Sequence, residues 1–105
     1  MDKGALYRLS AFTSNPLGGN PAGVWVGDRL LSAEAMLSIA AEVGYSETIF
    51  IAPRSGSHYD VRYFSPVKEV PFCGHATIAG AILLAELYGD REITFATIIG
   101  QIPIS

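Results

Sequence analysis

Runs of apolar residues alternate along the chain with breaks rich in Gly, Pro and Asn, and the spacing inside each run predicts its conformation. Leu6 to Phe12 (LYRLSAF) has strand composition and enters the loop Thr13 to Pro21, where Gly, Pro and Asn oppose regular structure. Ala22 to Val26 is again β-prone and is closed by the turn Gly27-Asp28. Ser32 is placed to cap a helix over residues 33–43, with Glu34 in its first turn and Gly44 suited to a left-handed stop. Ala33, Met36, Leu37, Ala40 and Val43 share one side of it, which predicts a surface helix with a single buried stripe.

Thr48 to Ala52 and Tyr59 to Phe64 flank the turn-rich residues 53–57 and predict a β-hairpin, with Asp60 and Arg62 on the wet side of the second strand. After an irregular stretch to Cys73, a second helix is expected from about His75 to Tyr88. From Cys73 through Leu87 its only charged side chain is Glu86, and a helix apolar all round demands enclosure on every side. Gly89-Asp90 ends it, and Ile93 to Ala96 and Gln101 to Ile104 predict two closing strands around Gly100. The order β-β-α-β-β-α-β-β lacks the strict alternation of a doubly wound sheet. It predicts an α+β fold in which a curved, mostly antiparallel sheet wraps round the central apolar helix.

Composition narrows the function. Of 105 residues half are hydrophobic and 16% charged, with a net charge of −3, which describes one globular domain with one core. The basic residues Lys3, Arg8, Arg29, Arg54, Arg62, Lys68 and Arg91 are scattered among acids, so nucleic acid is not an expected partner. Cys73 stands alone and excludes an intramolecular disulfide. No apolar run approaches membrane-spanning length, and Met1-Asp2-Lys3-Gly4 lacks the apolar run of a signal peptide. A cytoplasmic protein without a membrane partner is expected. The end at Ser105, inside a strand-like segment, predicts either a longer parent chain or pairing of that strand with another molecule.

The densest chemistry lies in Pro71-Phe72-Cys73-Gly74-His75-Ala76-Thr77, at the start of the second helix. Its free N–H groups and small residues suit a substrate carboxylate. Alternatively, Gly74 and Ala76 are small because the helix is tightly enclosed, and His75 serves as part of the cap. The helix dipole at Cys73 should lower the thiol pKa, although a buried, inert cysteine fits the same position. As a nucleophile Cys73 would need a base, and His75 two residues on need not point the same way. One Cys and two His, with His58 in another turn, fall short of a metal site's ligand count, so no metal is expected.

Glu47 opens an apolar strand, where partial desolvation would raise its pKa towards that of a useful proton carrier; a solvated strand-end charge is the other reading. Asn20, before Pro21, offers an amide to a cleft or satisfies its own turn. Arg8, Asp60, Arg62, Lys68 and Glu69 read as solvated charges. Gly18 to Gly23 is followed by a strand and lacks a Lys-Ser/Thr ending, so it is not a phosphate loop.

Four stretches in order, Ala11-Phe12-Thr13, Gly19-Asn20-Pro21-Ala22-Gly23-Val24, Tyr45-Ser46-Glu47-Thr48, and Arg62 to Pro66 running on to Pro71 to Thr77, resemble the phenazine-biosynthesis-like PhzF family, which shares its fold with diaminopimelate epimerase. The resemblance implies two halves in pseudo-symmetric tandem, of which these residues form the N-terminal one as a single, truncated half-domain. It implies Glu47 as the proton-transferring glutamate, His75 as the site histidine, Asn20 and Ser46 lining the pocket, and the backbone of Gly74, His75 and Ala76 holding a substrate carboxylate. Cys73 falls where diaminopimelate epimerase has one of its acid/base cysteines. The implied chemistry is cofactor-free isomerisation or epimerisation of a small carboxylate-bearing substrate. Two other functions are carried alongside: an inactive half-domain that self-associates, and a thiol enzyme using Cys73. A homodimer, or association with the second half, is expected in each case.

Overall fold

The computed structural model describes residues 4–11, 20–89 and 92–104. In chain order the elements are β1 (Gly4–Ala11), β2 (Asn20–Gly27), α1 (Ala33–Val43), β3 (Glu47–Ser55), β4 (His58–Phe64), β5 (Glu69–Val70), α2 (Gly74–Tyr88), β6 (Ile93–Thr97) and β7 (Gly100–Ile104). Most of the loop expected over 13–21 lies outside the described residues. Asn20 and Pro21 instead open β2, opposite Ala11 and Ser10.

One sheet carries all the strands in the order β1-β2-β3-β4-β6-β7, with β5 also on β4. The pairs β2–β3 and β4–β6 are parallel and the others antiparallel, so the sheet is mixed but mostly antiparallel. The outer edge of β4 is shared: β6 takes residues 58–60 and β5 takes Tyr63 and Phe64.

Alternation along the strands sorts side chains between two layers. Val24, Val26, Ile49, Ile51, Val61 and Tyr63 face α2 and pack with Ala76, Ala79, Leu83 and Leu84. Trp25, Phe50 and Phe64 face the other way and pack with Met36 and Ala40 of α1. The two helices therefore cover opposite faces of the sheet. α2 lies close to it at Gly80, where an added Cβ would come within 2.9 Å of Ile51 Cδ1 and 3.2 Å of Ile49 Cδ1.

Three expectations change. The enclosure expected for α2 is met on its sheet side alone: Ile78, Ile82 and Tyr88 remain 41%, 49% and 58% exposed. The hairpin strands run further than expected, because Pro53 to Ser55 continue β3 through a register shift and the reversal falls at Gly56, with φ 56°. Arg62 and Glu69 are not merely solvated charges. The Arg62 guanidinium donates from Nε and Nη2 to the two Glu69 oxygens at 2.7 and 2.6 Å, and this bidentate pair fastens β5 to β4 in the stretch expected to be irregular.

Candidate functional site

Glu47 is the first residue of β3. Strand alternation puts it on the face of Ile49 and Ile51, beneath α2, and the start of the strand brings it to the N-terminal end of that helix. The left-handed Gly44, φ 75°, stops α1 and turns the chain into β3 just ahead of it. At the other side of the site, Cys73 is the N-cap residue of α2, and Gly74, His75 and Ala76 form its first turn.

The side chains of Glu47, Cys73 and His75 meet there. Cys73 Sγ lies 3.4 Å from Glu47 Oε1 and 3.3 Å from His75 Nδ1. His75 Nε2 is 3.6 Å from Glu47 Oε1, with the two side chains 19% and 22% exposed. The far edge of the imidazole is dry: Nε2 is buried and has no hydrogen-bond partner. The side chain of Cys73 makes no capping hydrogen bond, and the first-turn N–H groups of His75 and Ala76 lie about its sulfur. An added Cβ at Gly74 would meet nothing within 4 Å, so the approach to these groups is open.

Burial pushes the Cys73 thiol up, with the charge of Glu47 and its hydrogen bond adding to the rise, while the N–H groups of Ala76 and His75 pull against it. This reverses the lowering expected from the helix dipole. The thiol faces a carboxylate across 3.4 Å, and that carboxylate and the low local polarity outweigh the dipole. The metal-ligand count also changes. His58 is at the exposed start of β4, opposite Ser55, but Glu47 joins Cys73 and His75, so three donor groups converge where sequence spacing offered two.

Ser46 is exposed and directly precedes Glu47. Asn20 begins β2, two residues before Ala22, whose register partner is Glu47; its side chain lies outside the described residues. Two supporting residues escaped the sequence reading. Thr77 donates its hydroxyl proton to the Cys73 carbonyl at 2.8 Å, which makes Tyr63, 2.6 Å from Thr77 Oγ1, the donor in that second bond. Burial pushes the Tyr63 phenol up to about 12. The relay fixes the first turn of α2 to β4, and its only trace in the sequence is the four-residue step from Cys73 to Thr77.

A recess of about 480 Å³ lined by Glu92, Ile93, Thr94, Pro103 and Ile104 runs along the β6–β7 edge, away from this cluster. With Glu92 as its sole ionisable lining group, it offers no acid/base pair, unlike the cluster at the start of α2.

Residues 9–105 match the PhzC-PhzF family, described as phenazine biosynthesis-like protein. The uncharacterized isomerase YddE of Escherichia coli K12 is 45% identical over 92 residues, covering 88% of this chain and 31% of that protein. Phenazine biosynthesis-like domain-containing protein 1 of mouse is 38% identical, over 92% of this chain and 37% of that protein. The crystal structure of a PhzC/PhzF protein from Clostridium difficile superimposes with a TM-score of 0.86 at 36% identity, over 93% of this chain and 38% of that one. A predicted epimerase from Pseudomonas aeruginosa gives a TM-score of 0.84 at 27% identity. The chain thus spans about a third of the length of the proteins it matches. With the match reaching across nearly the whole sequence and the same α+β arrangement in the solved structures, the chain belongs to the phenazine biosynthesis-like PhzC-PhzF family.

Proposed function

We propose that this chain carries the proton-transferring part of a cofactor-independent isomerase or epimerase acting on a small carboxylate-bearing molecule. The observation that carries the reading is the position of the Glu47 carboxylate, 3.6 Å from His75 Nε2, beside the uncapped start of α2. The first-turn N–H groups at Gly74, His75 and Ala76 hold the substrate carboxylate, since the positive end of a helix favours an anion there. Glu47 takes a proton from the adjacent carbon, and the negative charge that spreads onto the carboxylate is stabilised by the same N–H groups. Glu47 then returns the proton to a conjugated carbon on the same face, whereas inversion at the first carbon takes a second acid on the opposite face, outside this chain's own cluster. His75 orients the Glu47 carboxylate, and Asn20 and Ser46 line the approach.

The test is solvent exchange. In ²H₂O, the protein is incubated with a panel of small carboxylic acids bearing a hydrogen on the neighbouring carbon, and loss of that signal is followed by proton NMR. Glu47→Gln should slow the exchange by roughly 10²- to 10⁴-fold, the usual worth of a positioned acid/base. Glu42→Gln, on the exposed side of α1, should leave it unchanged. Equal exchange in wild type and Glu47→Gln would overturn the reading.

The exposed apolar side of α2 favours a second reading, a catalytically silent half-domain that associates through this surface with a second copy or a second half. It expects no exchange with any acid and a molar mass above that of the single chain by light scattering. A thiol mechanism is disfavoured, because burial and Glu47 both hold the Cys73 proton in place.

A further inference from the structure

Glu47 Oε1, Cys73 Sγ and a ring nitrogen of His75 all lie within 4.8 Å of one another. In a tetrahedral zinc site, bonds of about 2.0–2.3 Å set neighbouring donor atoms roughly 3.3–3.6 Å apart. Sγ and Oε1 stand 3.4 Å apart, and the imidazole meets the sulfur through Nδ1 at 3.3 Å and the carboxylate through Nε2 at 3.6 Å. Sulfur and carboxylate oxygen therefore already stand at coordination spacing, and a ring nitrogen of His75 within 4.8 Å of both completes the donor set once the imidazole rotates towards the ion.

Hydrogen bonding accounts for the thiol's two contacts but leaves the far ring nitrogen unexplained. His75 Nε2 is buried without a partner and sits beside a carboxylate oxygen. A cation between them would satisfy both. Three protein donors with open space beside Gly74 match the pattern of zinc sites that retain one exchangeable position. The donor set of thiolate, imidazole and carboxylate selects zinc-like ions over magnesium or calcium, which take oxygen ligands.

We infer that Glu47, Cys73 and His75 form a binding site for a thiophilic divalent cation of the zinc class, and that the bound ion withdraws Glu47 from proton transfer. Coordination releases the Cys73 thiol proton to solvent, and Sγ, the ring nitrogen and the carboxylate oxygen each donate a lone pair, with no change of oxidation state. The inhibitory part rests on the functional reading above; the binding part stands without it.

Chelator-treated protein titrated with Co²⁺ tests the site. One equivalent should bind with a thiolate-to-cobalt charge-transfer band, and Zn²⁺ should displace it. Because the chain has a single cysteine, any such band originates at Cys73, so the wild type alone decides whether the thiol is a ligand. Cys73→Ala should abolish the band, and His75→Gln should weaken uptake roughly tenfold or more, whereas His58→Ala should have no effect. Absence of the band, or equal affinity in His75→Gln, would overturn the site. In the exchange assay, saturating Zn²⁺ should suppress the Glu47-dependent rate at least about tenfold. Exchange that persists in Glu47→Gln, while the wild type binds cobalt with the thiolate band, would defeat the functional reading and leave the metal site standing. Exchange that needs Glu47 but ignores Zn²⁺, with no cobalt band, would defeat the metal site alone.

Discussion

α1 and α2 lie on opposite faces of one sheet, and they are finished differently. α1 is capped by Ser32, whose Oγ accepts from Ala35 N at 3.2 Å, and its outward side carries Glu34, Ser38 and Glu42. α2 begins without a side-chain cap and shows Ile78 and Ile82 to the outside. Helix ends and helix faces are ordinarily satisfied within the same chain. α2 leaves both its N-terminal end and its outward face open, and the proposed function assigns a ligand to the first and a partner surface to the second. In that reading, both the chemistry and the association fall on the same element.

The inward sides of the two helices should behave alike, and this is where the largest stability effects are expected. Leu84 of α2 and Met36 of α1 are both fully buried. Truncation of either to Ala should cost about 2–5 kcal/mol in urea or thermal unfolding, through lost burial and an unfilled cavity. A loss below about 1 kcal/mol for Leu84→Ala alone would mean that α2 does not rest on the sheet as described, and the comparison would fail.

Tyr63→Phe sharpens the contrast at the helix starts. Removing the phenol deletes the bond to Thr77 that fastens the first turn of α2, with an expected loss of about 0.5–1.5 kcal/mol at neutral pH. The pH dependence has a definite sign. The folded phenol is held up to about 12, above its ordinary value of 10, so the unfolded chain loses this proton first. The stability associated with the protonated phenol is complete below pH 10 and declines as pH rises towards about 12. Unfolding curves measured across that interval should fall more steeply for wild type than for Tyr63→Phe.

The contrast also explains what the sequence made legible. α1 could be read completely, since its cap, stripe and Gly44 stop are local signals. The strands were legible through alternation, apart from β5, a two-residue strand that depends on the non-local pair Arg62–Glu69. At the site, Glu47 and the His75 turn were singled out separately from composition and from the family resemblance, but their meeting depends on β3 beginning beneath the start of α2. The Tyr63–Thr77–Cys73 relay was hidden for the same reason: hydrogen bonds between elements leave no periodic trace. The outward face of α2 was read as buried because apolarity reports a need for cover and not the molecule that provides it.

Two smaller effects test the finishing of the helices directly. Ser32→Ala should destabilise by about 1 kcal/mol, the usual worth of an N-cap bond. Cys73→Ala loses no capping hydrogen bond, so any change in stability there comes from the contacts of the sulfur to Glu47, to His75 and to the first-turn N–H groups. The smallest effect is expected at Ile82, which is 49% exposed. If that side of α2 faces water in the single chain, Ile82→Gln removes little burial and should alter the unfolding free energy by no more than about 0.5 kcal/mol at any protein concentration. If a second copy covers it, the same substitution should cost more as the protein is concentrated, because a partner that binds only the folded state adds stability by mass action. Unfolding of wild type and Ile82→Gln across a hundredfold range of concentration separates the two cases, and a difference that grows with concentration would make α2 an interface helix.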